Sequence, residues 1–190
     1  MTRGSRGKMA CRLEKTVVMV GMMGAGKSAI GRALAERLGV PFLDSDAEIE
    51  RAAAMSISEI FARDGESFFR RRETEVIRRL LEGAPCVLST GGGAFLSERN
   101  RRLIAERGVS VWLDADLDLL WARVRNKDTR PLLRTDNPRE TLATLQDQRV
   151  PSYAEATLRV MAEEGLSIEA MTQRVLEAIR AHEGVFTCPA

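Results

Sequence analysis

The sequence predicts an α/β fold, a parallel sheet covered by helices on both faces, and three observations carry that expectation. Short apolar, β-branched runs alternate with longer stretches of helical spacing. Gly39, Gly83, Gly108 and Gly165 each fall just past a helical pattern, where a C-terminal cap takes a positive φ. Finally, Gly21–Ser28 joins an apolar run to a helical one through a glycine-rich loop.

Taken in order, residues 1–14 are basic, Gly/Ser-rich at their start and aperiodic, so they read as a loose N-terminal extension. Val17–Val20 is the first strand and Ala29–Leu38 the first helix; the two-residue run Phe42-Leu43 is a short second strand. Helical spacing returns over Thr74–Leu81, before a strand at Val87-Leu88. A helix over Asn100–Glu106, a strand over Val109–Leu113 and a helix over Leu117–Val124 follow. Thr157–Val160 is the last strand and Ile168–Ile179 the last helix, after which Gly184–Ala190 is expected to fray. No repeat, low-complexity tract or linker divides the chain, so residues 15–183 form one domain.

Composition narrows the function. Hydrophobic residues make up 44% of the 190, enough to build a core and to exclude a mostly disordered chain. The net charge of +2 argues against a general nucleic-acid binder. Three widely spaced cysteines and one histidine cannot assemble a Cys/His zinc cluster, and a disulfide scaffold is not expected. A reducing, cytoplasmic home is the default. The basic start followed by Val17–Gly26 superficially resembles a signal peptide, but Glu14 interrupts it and cleavage near Ala25 would destroy the glycine loop. No run approaches the ~20 apolar residues of a membrane span, so a soluble chain is expected.

Gly21-Met22-Met23-Gly24-Ala25-Gly26-Lys27-Ser28 matches G-x-x-x-x-G-K-[ST] in full. Its glycines let successive N–H groups turn toward phosphate oxygens at a helix N-terminus. Lys27 would reach the β- and γ-phosphates, and the Ser28 hydroxyl would ligate Mg2+. A switch GTPase would want N-K-x-D, whereas Asn126-Lys127-Asp128-Thr129 has Thr129 in the acid's place. A small phosphotransferase using ATP is the economical reading.

Five further groups accompany the loop. Asp44-Ser45-Asp46 lies at the carboxyl end of the second strand, where ligand crevices form in such sheets. One acid could hold the water shell of Mg2+ while the other accepts a proton or hydrogen bonds from a substrate hydroxyl. Alternatively, Ser45 or Asp46 simply caps a helix over Ala47–Arg51. Arg70-Arg71-Arg72 project about 100° apart on a helix, so they cannot all face one anion. Arg70 can pair with Glu73, while Glu75 with Arg78 or Arg79 reads as charged surface. Gly91-Gly92-Gly93 follows a strand, and close approach of a ligand to the backbone explains three glycines better than a plain turn. Arg130-Pro131-Leu132 falls in a polar stretch suited to a lid over 123–138, and Arg149 opens a turn-plus-helix signal.

In this order, these pieces resemble the shikimate kinase family: phosphate loop, Asp-x-Asp, Phe69-Arg70-Arg71-Arg72-Glu73, Gly91-Gly92-Gly93, Arg130-Pro131-Leu132 and Arg149-Val150-Pro151-Ser152-Tyr153. The match runs from about Thr16 to Ile179. The resemblance implies a kinase fold of the nucleoside monophosphate kinase type, with a five-stranded parallel sheet, a substrate-binding segment at about 44–73 and a mobile lid. It implies transfer of the ATP γ-phosphoryl group to the shikimate 3-hydroxyl, in aromatic amino-acid biosynthesis. Asp46 would then bind ring hydroxyls as base or orienting acceptor, and Asp44 would support Mg2+ through water. Arg70 and Arg149 would clamp the substrate carboxylate beside the Gly91, Gly92 and Gly93 backbone. Gly24, Ala25, Gly26, Lys27, Ser28 and Ala29 would hold ATP, with Arg123 near adenine and Arg130 closing on the phosphates. Ser152 stands where a leucine is common and Ala29 where a threonine is usual.

Rival readings are a gluconate kinase, a nucleoside monophosphate kinase and a catalytically silent nucleotide-binding module. The combined Asp-x-Asp, Phe-Arg-x-x-Glu and triple-glycine set favours shikimate over the other acceptors. With modest size and no sustained heptad, a monomer is expected, touching neither nucleic acid nor membrane.

Overall fold

The computed structural model describes residues 11–126 and 131–188. Val17, Val18, Met19 and Val20 are wholly buried, as a strand covered on both faces requires, and form β2 (Thr16–Val20) at the centre of the sheet. Around it lie β3 (Phe42–Asp44), β4 (Val87–Ser89), β5 (Gly108–Ala115) and β6 (Leu158–Ala162). All pairings are parallel and the order is β3-β4-β2-β5-β6, the five-stranded arrangement the resemblance implied. The chain runs from β2 to β3 and β4 on one side and then crosses over to β5 and β6 on the other, so a crevice opens at the carboxyl ends of β2 and its neighbours.

The helices are α1 (Lys27–Leu38), α2 (Ser45–Ala53), α3 (Ile57–Leu81), α4 (Glu98–Arg107), α5 (Leu117–Val124), α6 (Pro138–Tyr153) and α7 (Ile168–Arg180). Side-chain caps start several of them: Ser56 with Glu59 forms a capping box for α3, and Ser97, Asp116 and Ser167 cap α4, α5 and α7. The main core packs both faces of the sheet, while Ile49, Ile60, Phe69 and Val76 make a smaller core between α2 and α3. That second core lets the α2–α3 unit stand over the carboxyl edge of β3.

Several expectations are corrected. α3 begins at Ile57, well before the helix expected to carry Arg70–Arg72 and the spacing from Thr74, and bends at Gly65 (φ 80°, ψ 171°), a conformation no helical residue holds. α6 was expected only as a turn-plus-helix from Arg149; the helix instead starts at Pro138, which suits the first helical turn, and ends at Tyr153. Of the four glycines expected as helix caps, Gly39 (φ 64°) closes α1 in that way. Gly165 (φ 79°) follows a strand, while Gly83 and Gly108 have no positive φ. Gly108 instead starts β5, where a Cβ would lie 2.7 Å from the Thr16 carbonyl oxygen.

The chain ends also differ from the loose extension and frayed tail expected. β1 (Arg12–Leu13) pairs antiparallel with β7 (Phe186–Thr187), and the Glu14 N–H donates to the Val185 carbonyl at 2.9 Å. Cys11 and Cys188 form a disulfide, so only Cys86, which is buried, is a free thiol. Val185 is fully buried, and docking it beside Leu13 is what brings residues 177 apart together. This clasp sits by the amino end of β2, away from the crevice.

Candidate active site

The loop between β2 and α1 owes its shape to Gly21, Gly24 and Gly26, with φ of 134°, 84° and 100°. A Cβ at Gly21 would lie 2.7 Å from the Leu113 carbonyl oxygen, and one at Gly24 2.7 Å from Val124 Cγ1, so the loop is packed from behind as well as turned. α1 opens with no side-chain cap and no acid in its first turn. Its N–H groups and positive end are thus left to an anion from outside. The Lys27 ammonium donates to the Gly21 and Met22 carbonyls at 2.9 Å, which holds it over the loop.

Parallel register places Asp44 beside Ser89, and both at the mouth of the loop. The Ser28 hydroxyl donates to Asp44 Oδ2 at 3.3 Å and lies 3.4 Å from the Ser89 hydroxyl. Asp44 Oδ1 accepts from the Asp46 and Ala47 amides at 3.0 and 3.4 Å, so Asp44, rather than Ser45 or Asp46, caps α2. Among the described residues no three His, Cys, Asp or Glu side chains could hold a metal ion together. The Ser28–Asp44 oxygens therefore fit Mg2+ as it binds beside phosphates, keeping most of its waters, rather than a cation caged by protein.

Asp46 follows on the first turn of α2. Burial, reinforced by the neighbouring Asp44 charge, pushes its carboxyl up to about 6, against the pull of Lys27 and Arg70. Arg70 bonds Glu73 at 2.8 Å and Glu66 at 3.3 Å. Glu73 is only 1% exposed, and its burial raises its pKa more than Arg70 lowers it. Arg71 and Arg72 point outward, with Arg72 on Glu75 at 2.6 Å. Arg78 pairs with Glu82 and Arg79 with Glu48, so the expected Glu75 pairing with either is corrected.

The glycine turn after β4 explains why three side chains can meet there. A Cβ on Gly91 would lie 2.6 Å from Asp46 Oδ1, one on Gly92 3.2 Å from Arg149 Nη1, and one on Gly93 2.6 Å from Arg70 Nη2. Each glycine is the place where one of these side chains meets the turn. The turn is itself held: Ser45 Oγ accepts from the Gly91 amide at 3.3 Å, and the Tyr153 hydroxyl donates to the Gly92 carbonyl at 2.6 Å. Arg149 is 8% exposed and sits one turn before Tyr153 on α6.

A cleft of about 500 Å3 runs from Ser28, Asp44 and Asp46 past Gly91 and Gly92 to Arg123. Leu166, Ile168 and Met171 give it an apolar wall. Arg70 and Arg149 do not line this cleft; the glycine turn connects them to it. Arg123, in the last turn of α5, donates to the Gly24 and Ala25 carbonyls at 3.2 and 3.3 Å. Ala29 is exposed on the first turn of α1. Of the lid expected over 123–138, Leu133 is buried in the core, whereas Arg130 lies outside the described residues. A second cleft of about 530 Å3, between α2 and α3, holds none of the expected site residues.

Sequence reasoning misses Ser89 and the apolar wall as parts of the site, and names Ser45 only as a possible helix cap and Tyr153 only as the end of the Arg149–Tyr153 motif. Ser45 stands between the two aspartates and Ser89 just before the glycines, so position alone could have flagged them. Ile168 is 54% exposed, an apolar side chain facing solvent that only the folded structure makes visible.

A model of the shikimate kinase family matches residues 23–180. The shikimate kinase of Ruegeria pomeroyi is 69% identical over 176 residues, covering 93% of this chain and 90% of its own length. The structure of the Acinetobacter baumannii shikimate kinase in complex with shikimate superposes with a TM-score of 0.83 at 38% identity, over 90% of this chain and 95% of that one. A gluconokinase from Sinorhizobium meliloti, at TM-score 0.61 and 19% identity over 90% of this chain and 94% of its own, shares the fold alone.

Proposed function

The chain belongs to the shikimate kinase family, and from that premise we propose how its own residues carry ATP-dependent phosphorylation of the shikimate 3-hydroxyl. The phosphate loop from Gly24 to Ala29 and the open end of α1 would bind the ATP phosphates, with Lys27 swinging from the Gly21 and Met22 carbonyls onto the oxygens that gain charge. Arg123 and the Leu166–Ile168 wall would enclose the adenine. Ser28 directly, and Asp44 through water, would hold Mg2+, which together with ATP supplies the activated phosphoryl group. Arg130, by its place in the sequence, would close on the phosphates.

Asp46 would accept the 3-hydroxyl, orienting it in line and receiving its proton as the bond to phosphorus forms. A carboxyl pushed up to about 6 is basic enough for that task near neutral pH and still mostly ionised. Arg70, kept in one orientation by buried Glu73, and Arg149 would bind the shikimate carboxylate from two sides, with the Gly91–Gly93 backbone close beneath. The single observation that supports this reading best is the convergence of Asp46, Arg70 and Arg149 on three consecutive glycines. A substrate with hydroxyls at one end and a carboxylate at the other suits that arrangement.

A soluble, monomeric, cytoplasmic enzyme that binds neither nucleic acid nor membrane completes the proposal. No helix among the described residues is long and apolar enough to cross a membrane. ADP release by purified protein with Mg·ATP and shikimate, gluconate, AMP or no acceptor tests the reading. Stimulation by shikimate alone is expected; stimulation by gluconate or AMP instead would overturn the acceptor assignment.

A further inference from the structure

Tyr153 is the largest of the fully buried side chains, yet it carries a polar atom into the junction of three functional segments. Its hydroxyl donates to the Gly92 carbonyl at 2.6 Å and lies 4.0 Å from Met22 Sδ of the phosphate loop. The Arg149 guanidinium stands beside the same glycine, its Nη1 and the Tyr153 hydroxyl 3.2 and 3.8 Å from where a Gly92 Cβ would lie, and toward that oxygen it can only donate. Its ring rests 6.1 Å from that of Trp112 on β5, which fixes the hydroxyl's reach. Burial raises the phenol's pKa above its ordinary value, so it remains a donor throughout the working pH range.

We propose that Tyr153 is a positioning residue for acceptor binding: its hydroxyl, donating to Gly92 and accepting from Arg149, locks the glycine turn and the Arg149 guanidinium into one relative orientation. Planarity makes the first bond consequential. Fixing the Gly92 carbonyl fixes the whole Gly92–Gly93 peptide plane, and with it the direction of the Gly93 N–H. Glycine is the residue least able to hold such a plane by itself. The second bond matters because Arg149 enters the turn from a helix with several rotatable bonds between backbone and guanidinium. Held at one donor, the guanidinium keeps its remaining donors aimed at an incoming carboxylate. The hydroxyl ties the turn directly to α6, so losing it loosens turn and guanidinium together.

The inference rests on the assignment of Arg149 to the shikimate carboxylate, and its test separates the two. Tyr153→Phe removes one oxygen and keeps the ring. It is expected to raise the KM for shikimate about tenfold, with the KM for ATP within about twofold and kcat within about threefold, a hydrogen bond to a charged group being worth roughly that factor. The preference for shikimate over its carboxylate methyl ester should shrink by the same tenfold, a change that general loosening of the fold would not produce. In the Tyr153→Phe, Arg149→Ala double variant the two effects should not multiply, because one acts through the other. Equal losses for acid and ester, or an unchanged shikimate KM while Arg149→Ala raises it, would overturn the role of Tyr153. An unchanged KM in Arg149→Ala would instead remove the carboxylate assignment itself.

Discussion

The role proposed for Asp46 comes at a cost to the fold, and the two can be measured against each other. Its carboxyl moves from an ordinary 3.8 to about 6 on folding, mainly by burial and then by the Asp44 charge. The sign follows directly. Between those values the native state holds a proton that the unfolded chain has released, so stability falls as pH rises across the window and the full penalty applies above about pH 6. A displacement of that size corresponds to about 3 kcal/mol, which partial solvent access in the open cleft reduces to about 2 kcal/mol. Asp46→Asn should therefore stabilise the protein at pH 7.5 by about 2 kcal/mol, roughly 4–8 °C in Tm for a chain of this length. At pH 4 the gain should nearly vanish. Thermal melts in EDTA without nucleotide read it, since bound Mg2+ would offset the repulsion. The same variant should lose at least about a hundredfold in kcat. Equal melting of the two proteins at pH 7.5, or a gain that does not depend on pH, would refute the electrostatic reasoning; near-normal kcat would remove Asp46 as proton acceptor.

Three further outcomes follow from the geometry. Gly91→Ala and Gly93→Ala place a Cβ 2.6 Å from Asp46 Oδ1 and from Arg70 Nη2, ends of side chains that can swing away; Tm should change little while the shikimate KM rises about tenfold or more, as steady-state kinetics would show. Gly24→Ala meets Val124 Cγ1 at 2.7 Å in a backbone of φ 84°, so it should cost about 1–3 kcal/mol in urea denaturation and weaken nucleotide binding. Reducing the Cys11–Cys188 bridge, or Cys11→Ser, should lower Tm without changing kcat, because the clasp lies at the amino ends of the strands and the chemistry at their carboxyl ends.

What the sequence discloses depends on how local the controlling physics is. The phosphate loop is legible in full because its backbone shape is encoded within eight residues, three of them glycines with positive φ. Strands β2 and β5 are legible because continuous burial requires continuous apolar sequence. The Arg70–Glu73 pair follows from helical spacing alone. Other features are settled between distant segments. Nothing near Cys11 or Cys188 signals that β1 and β7 will pair. α6 reads poorly because one of its few buried positions is Arg149 and because Pro138 and Pro151 look like breaks, although the first sits where a helix begins. The triple glycine signals a close approach, but only the fold shows that three different side chains arrive there. Tyr153 is legible only as the end of a motif, and only the fold brings its hydroxyl to the Gly92 carbonyl.

In the proposed mechanism, Asp46, Arg70 and Arg149 build one acceptor site around Gly91, Gly92 and Gly93. A crystal structure with shikimate and Mg·ADP tests it most directly. The substrate carboxylate is expected on Arg70 and Arg149, and the 3-hydroxyl within about 3 Å of the Asp46 carboxylate, facing the phosphate loop. Shikimate bound with its carboxylate away from both arginines, or with another hydroxyl on Asp46, would contradict it.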